Sequence, residues 1–286
     1  MPEAISASLP SAESRGEVLF SADNLAVGYA GRAILPPISF SFRRGEVTAI
    51  LGRNGSGKST LMKTLLGDLP PVAGAVRRAV PQMKTALMPQ TRDLDFQLPV
   101  TVREFVSWGA LSGLNFLRRP WTSRREKARV DEALNVLGLS AIGDHFLNEL
   151  SEGQQQRVLF ARILATDADA ALLDEPTAAM DAVFQRDVVE ILSRTARERG
   201  LTVVIITHAL ELVGELADSV IFLDADSGAV RSGSKEEVFS SAAFRDKFRG
   251  ASGTGKSLPG GDADNPKGTP QNMPAPAQNQ EGISHG

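Results

Sequence analysis

Cysteine is absent from the 286 residues, which excludes disulfides and thiolate metal sites while leaving the redox compartment open. Long apolar runs are missing too. The stretches around Val203 to Ile206 and Val220 to Leu223 fall far below the ~18 residues that a membrane span requires. The N-terminus, MPEAISASLPSAESRGE, places Glu3 ahead of any basic residue and lacks an apolar run of signal-peptide length. A strong excess of either charge is lacking, with 31 Lys and Arg against 34 Asp and Glu, a formal net charge of −3 and a pI of about 5.7, so nothing electrostatic recommends the chain to nucleic acid. What remains is a chain 42% hydrophobic, able to bury one substantial core with room for a subdomain.

The stretch VTAILGRNGSGKSTLMKTLLG, Val47 to Gly67, carries the strongest signal. Apolar Val47 to Leu51 reads as a buried strand, Gly52 to Gly57 as a tight loop, and Lys58 onward as a helix. Gly52, Gly55 and Gly57 let backbone N–H groups approach phosphate oxygens without a Cβ in the way, and the helix points its positive end at the same anion. In such a loop Lys58 reaches the β- and γ-phosphates, the Ser59 hydroxyl ligates Mg²⁺ and Thr60 touches the α-phosphate. A second match to the same spacing, GASGTGKS from Gly250 to Ser257, has no strand before it, and Pro259-Gly260-Gly261 prevents a helix after it, so it is a chance match.

Residues 1–16 are Ser/Ala/Pro-rich and read as disordered, as does the Gly/Pro/Asn/Gln-rich tail 251–286. From Glu17, short strands broken by Gly28, Gly31 and Pro36-Pro37 suggest antiparallel pairing. Tyr29, the only tyrosine, precedes such a turn and either stacks on a purine or simply packs. Pro70-Pro71 and Gly74 are expected to end the first helical region. Thr85 to Gln90 reads as a short strand end whose Gln90 could reach a metal or a γ-phosphate, although alone it means little. Pro99 to Gly138 reads as helical, with Val130, Ala133, Leu134 and Leu137 on one apolar stripe. The basic residues Arg118, Arg119, Arg124, Arg125, Lys127 and Arg129 form either a solvated helix face or a patch facing anionic lipid or a membrane partner.

Ser151 and Gln154 have capping-box spacing, so a helix starts after Ser151 and offers a second anion-binding end or merely an ordinary cap. DADAALLDEPTAAMD puts Asp174 and Glu175 at the carboxyl edge of a buried strand, the place where parallel α/β sheets hold ligands. There one carboxylate can hold Mg²⁺ while the next orients or deprotonates water. Adjacent acids are also common on surfaces, and a lone histidine is usually structural. The apolar strand TVVIITH, Thr202 to His208, nonetheless delivers His208 to the same edge, after a helix Ala182 to Arg199 that stops at Gly200. SVIFLDA adds one more strand, and Ser234 with Glu237 caps a helix expected to run to about Gly250.

In this order the elements resemble the ATP-binding subunit of an ABC transporter, from about Val18 to Gly250. The resemblance places the A-loop aromatic at Tyr29 and Walker A over Gly52 to Thr60, with Gly52, Asn54, Gly55, Ser56, Gly57, Lys58, Ser59 and Thr60 contacting nucleotide. It puts the Q-loop at Gln90, the signature at Leu150 to Gln154 with Ser151, Gly153 and Gln154 as contacts, and Walker B at Leu172 to Glu175. Asp181 falls in the D-loop and His208 is the switch histidine. Two departures stand out: the usual LSGGQ carries Glu152 at its third position, and Ala179-Met180 precede the D-loop aspartate.

The resemblance implies an α/β fold: a P-loop NTPase core with a mostly parallel sheet, an N-terminal antiparallel β subdomain and an inserted helical subdomain at about 91–165, all within residues 17–250. It implies ATP and Mg²⁺, with Ser59, Gln90 and Asp174 as metal ligands and Glu175, His208 and Gln90 as catalytic groups. It also implies a homodimer, separate integral membrane permease subunits, an extracellular or periplasmic solute-binding protein acting indirectly, and a peripheral place on the cytoplasmic face of the membrane. MPQTRDLDFQLPVTVREFVSWGALSG, after Gln90, is similar to the corresponding stretch in importers of zinc or manganese. Alternatives are an iron-chelate or cobalamin importer, an exporter, or a soluble ABC ATPase of DNA repair or translation. Against the last, no long coiled coil separates the Walker motifs, there is no second ABC module and there is no large basic face. The presence of Glu175 and His208 disfavours a module that only binds ATP.

Overall fold

Val47–Gly52 (β5) is buried at every position, as a continuous apolar run must be when it is covered on both faces of a parallel sheet. In the computed structural model, which describes residues 16–79, 82–90, 96–110, 123–177, 180 and 182–248, this strand sits inside a six-stranded sheet. The order is β11 (Ala229–Ser234), β10 (Ser219–Asp224), β5, β9 (Thr202–Ile206), β8 (Ala170–Asp174) and β7 (Thr85–Met88). All neighbours are parallel except β10 and β11, which form an antiparallel edge. The described residues up to Lys247 belong to one compact unit; of the second, 248–286, only Phe248 is described.

A three-stranded antiparallel sheet has β1 (Val18–Ala26) between β4 (Ile38–Arg43) and β6 (Ala73–Arg78), while β2 (Gly28–Tyr29) and β3 (Arg32–Ala33) make a small hairpin. The expected antiparallel pairing of the N-terminal strands is present, but β6 is an addition. Ala73–Arg78 carries little apolar signal and none of its residues is buried, so periodicity does not reveal it; pairing with β1 creates it. Gly74, expected to help end the first helix, therefore lies in a strand. That helix, α1 (Lys58–Leu66), stops earlier, at Gly67, whose N–H caps the carbonyls of Lys63 and Thr64. Leu19, Phe20, Leu25, Phe42, Ile50, Leu61, Leu65, Val204 and Ile221 form a shared core joining the antiparallel sheet, the central sheet and α1.

Between β7 and β8 come α2 (Val102–Ala110), α3 (Arg124–Val136) and α4 (Glu152–Ala165), which pack on one another. The expected stripe Val130, Ala133, Leu134 and Leu137 is buried. The helical reading of Pro99 to Gly138 resolves into α2 and α3, the second begun by a capping box of Ser123 and Glu126. Gly109 permits α2 to approach α4, since a Cβ there would stand 2.1 Å from the Arg162 carbonyl oxygen. Within the basic run, Arg118 and Arg119 lie outside the described residues, as do the termini and the rejected GASGTGKS match. Arg129 is not a free surface charge, because it pairs with Asp167 at 2.8 Å.

After β8 come α5 (Ala182–Arg199), with the expected bounds, and α6 (Leu210–Leu216). The helix expected from Ser234 to Gly250 is two: α7 (Lys235–Ser240) and α8 (Ala242–Phe248). Ser241 interrupts them, its backbone extended and its Oγ accepting from the Phe244 N–H at 3.3 Å. A serine can bond to neighbouring backbone in place of continuing a helix, and this is how it starts a new one.

Lys247 on α8 donates to Asp224 Oδ1 at 2.6 Å and Asp226 Oδ2 at 2.7 Å. Burial works to raise the Asp224 carboxyl, but the hydrogen bonds from Lys247 and Ser227 outweigh it and hold the group below its ordinary value. A depressed carboxyl contributes stability above its unfolded value and loses it as pH falls through the folded one. Lys247→Met should therefore lower the melting temperature at pH 7, with the deficit shrinking as pH is taken below about 4. An equal deficit at pH 7 and pH 3 would contradict this account of the pair.

Candidate functional site

The site lies where the parallel strands end. Ile50 and Asp174 both sit opposite Ile206, so β8 and β9 end at one level and β5 runs two residues past it, to Gly52. Hydrogen bonds continue past the strands, from Thr207 N to Ile50 O at 3.3 Å and from Glu175 N to Ile206 O at 2.9 Å. Gln90, two residues beyond β7, leaves the sheet at the same edge.

The loop after β5 enters α1 through Gly57, at φ 92. A Cβ here would meet Leu35 Cδ1 at 2.9 Å and Ile34 Cδ1 at 3.1 Å, so both conformation and space demand glycine. No side chain caps α1, which leaves its first-turn N–H groups for an anion. Ser56 Oγ is buried without a hydrogen-bond partner. Lys58, only 6% exposed, folds its amine back to donate to the carbonyls of Gly52 and Arg53, each at 2.9 Å. Burial pushes that ammonium below its usual value, and the charges of Glu175 and then Asp174 pull it back. A lysine held by two carbonyls beside uncapped N–H groups fits a phosphate chain, which would neutralise it more fully.

Tyr29 is 51% exposed, and Thr60 Oγ1 donates to its hydroxyl at 3.4 Å. The ring therefore stands beside the phosphate loop instead of packing in the core. Ser59 is exposed at the start of α1, and Asn54 and Gly55 are exposed in the loop. Asp174 closes β8 half-buried. Glu175 follows at φ 46, and its Oε2 lies 3.4 Å from His208 Nδ1. An imidazole, a carboxylate and a lysine thus share one edge with a phosphate cradle, and hydroxyl, amide and carboxylate oxygens at Ser59, Gln90 and Asp174 are donors of the hard type that suits Mg²⁺.

Ser151 caps α4 with the complete capping box. Its N–H donates to Gln154 Oε1 at 2.9 Å and its Oγ accepts from Gln154 N at 3.4 Å. Glu152 is exposed in the first turn, where negative charge suits the helix end. Among the described residues, no hydrogen bond or ion pair joins Ser151, Gly153 or Gln154 to residues 52–60. The structure brings Tyr29, the phosphate loop, Asp174, Glu175 and His208 together, and among the described residues it bonds this second anion end to none of that loop. Asp181 lies outside the described residues.

Sequence reasoning passed over Gln156. It is 1% exposed, and its Nε2 donates to the Pro176 carbonyl, directly after Glu175. The signal was present: Gln156, Leu159, Phe160 and Ile163 fall at i, i+3, i+4 and i+7, which puts a glutamine on the apolar face.

A glycine loop leading from a parallel strand into a helix, with acids and a histidine at the neighbouring strand ends, defines a P-loop nucleoside triphosphatase. Residues 35–178 match the family model described as ABC transporter, and the chain belongs to that family. It is 37% identical over 223 residues to the zinc transport system ATP-binding protein TroB of Treponema pallidum (strain Nichols), covering 75% of this chain and 83% of TroB. It is 38% identical over 210 residues to the chelated iron transport system membrane protein YfeB of Yersinia pestis, covering 71% of this chain and 70% of YfeB. A solved dimeric bacterial ABC transporter cassette is similar with a TM-score of 0.62 and 27% identity, over 76% of this chain and 98% of that one. The chain is an ATP-binding, ATP-hydrolysing subunit that works with membrane permease subunits. No helix among the described residues is long and apolar enough to cross a membrane.

Gly57→Ala should destabilise the fold by about 1–3 kcal/mol through backbone strain and remove nucleotide binding. Thermal melting with and without ATP reads both effects. Unchanged affinity in a folded variant would contradict the cradle geometry.

Proposed function

We propose that two copies of this chain clamp two ATP molecules between them and drive import of a divalent first-row metal, zinc or manganese, through separate membrane subunits at the cytoplasmic face. The observation that carries the nucleotide part is the edge where Lys58, Asp174, Glu175 and His208 meet the phosphate loop. That Ser151, Gly153 and Gln154 bond to none of that loop among the described residues supports the pairing. The chain has one cradle and, at Ser151, one helix end of the signature type, so closing both sites calls for a mate arranged with two-fold symmetry.

Within each site, the backbone N–H groups of residues 52–60 and the Lys58 amine hold the phosphates, Lys58 exchanging its carbonyl partners for phosphate oxygens. Tyr29 stacks on the adenine. Ser59, Gln90 and Asp174 would hold Mg²⁺, which would supply neutralisation of the phosphate charge. Glu175 orients the attacking water and accepts its proton, and His208 contacts the γ-phosphate while restraining Glu175. Ser151, Gly153 and Gln154 of the mate close over the same nucleotide, with Asp181 near the junction. The closed dimer is favoured by these contacts and released when the γ-phosphate leaves, a shift in population driven by differential binding.

The metal part draws support from the stretch after Gln90 and from the similarity to TroB. A solute-binding protein acting on the far side of the membrane completes the assembly.

Glu175→Gln should bind ATP, hydrolyse it at least about 100-fold more slowly and accumulate closed dimers on size-exclusion chromatography; normal turnover would refute the role. For the substrate, the chain should be purified from membranes with its permease and the ATPase assayed with candidate loads. Stimulation by zinc or manganese is expected. Stimulation by an iron chelate or cobalamin alone would overturn the metal assignment and leave the ATPase role standing.

A further inference from the structure

Glu175 occupies an uncomfortable backbone position. Its φ of 46 lies in the left-handed region, which a residue with a Cβ rarely adopts, and it precedes Pro176, which restricts it further. Such a conformation persists only where the surroundings hold it. One restraint is the sheet, through the bond from Glu175 N to Ile206 O at 2.9 Å. The others come from side-chain amides on two helices. Gln156 on α4 donates to the Pro176 carbonyl, and Gln185 on α5 donates to the carbonyls of Thr177 and Met180, each at 3.2 Å.

These two anchors differ in what they connect. Gln185 belongs to the helix that follows the segment, so it braces the chain against itself. Gln156 belongs to the helix whose first turn carries Ser151 and Gly153. It is almost fully buried, at 1% exposure, so its bond is shielded from competing water. Beside it, α4 and α5 meet more loosely. Arg157 lies 4.0 Å over the Phe184 ring, and both residues line a cavity of about 440 Å³ together with Val136, Asp187 and Arg194. A direct buried bond between α4 and the Glu175 segment therefore sits next to an open region between the helices.

Resting on the reading of Glu175 given above, we propose that Gln156 is a positioning residue: it ties the helix that caps the mate's nucleotide to the peptide bearing Glu175, so seating of Ser151 sets the posture of this carboxylate. A shift of α4 as Ser151 and Gly153 engage moves the Pro176 carbonyl with it. Glu175, one residue away, swings relative to its water. Loss of the bond should leave nucleotide binding intact and impair the chemical step.

The test uses the assembled transporter with Gln156→Met, which keeps the length and removes the donor, and Gln156→Leu as a second apolar replacement. ATPase rate against ATP concentration, binding of a fluorescent ATP analogue and thermal melting are measured for each. The expected result is a KM within about twofold of the parent and a kcat lowered about tenfold or more, since small displacements of reacting groups cost that much. A kcat within twofold of the parent in either folded variant overturns the proposal. So does a KM that rises in step with the loss of kcat, or loss of nucleotide binding in both variants, which would mark Gln156 as a residue of the fold alone. Normal kcat in Gln156→Met beside an inactive Glu175→Gln overturns this inference and spares the functional reading. Normal turnover in Glu175→Gln removes both.

Discussion

Parallel pairing of β5 with β9 and of β9 with β8, in a register that brings all three strands to the same edge, is the constraint on which the site depends. Each strand is driven into the sheet by its own apolar side chains, and Val47–Leu51, Ala170–Leu173 and Val203–Ile206 are all but fully buried. Shifting a strand by one residue would turn its side chains to the opposite face. Burial in this interior thus fixes where Gly52, Asp174 and His208 emerge, and the chemistry is assembled by packing that has no direct interest in it.

That placement has an electrostatic consequence. Lys58 is drawn out of water at the same edge as two acids, and burial and the neighbouring carboxylates act on its proton in opposite senses. Two backbone carbonyls hold the amine. The loop's glycine backbone, its uncapped helix end and its buried amine converge on one place that suits an anion. The unpartnered Ser56 hydroxyl and the left-handed Glu175 are departures from comfortable geometry, of the kind that clusters at functional sites.

The second anion end follows a different logic. Ser151 starts α4, whose buried face packs mainly against α2 and α3 and also touches β7. The phosphate loop and this second anion end are consequently positioned by different neighbours within one compact unit. Gln156 is notable because it reaches from α4 to the carbonyl beside Glu175.

Much was legible in the residues themselves. The glycine loop, the capping boxes at Ser151 and Ser234, the bounds of α5 and the apolar strands were readable because each rests on local chemistry: a turn, a side-chain cap, a period of burial. Elements with no such local signature were not. Ala73–Arg78 becomes a strand only because β1 offers it an edge, Ala229–Ser234 because β10 does, and the break at Ser241 competes with a helix that periodicity alone would continue. Local pattern by itself therefore determined the nucleotide cradle and the family to which the chain belongs. Only the tertiary structure decided that Tyr29 stands exposed beside the cradle, that Glu175 is bent into a left-handed turn next to His208, and that Gln156 grips the peptide behind it, because each depends on a partner supplied by a distant segment.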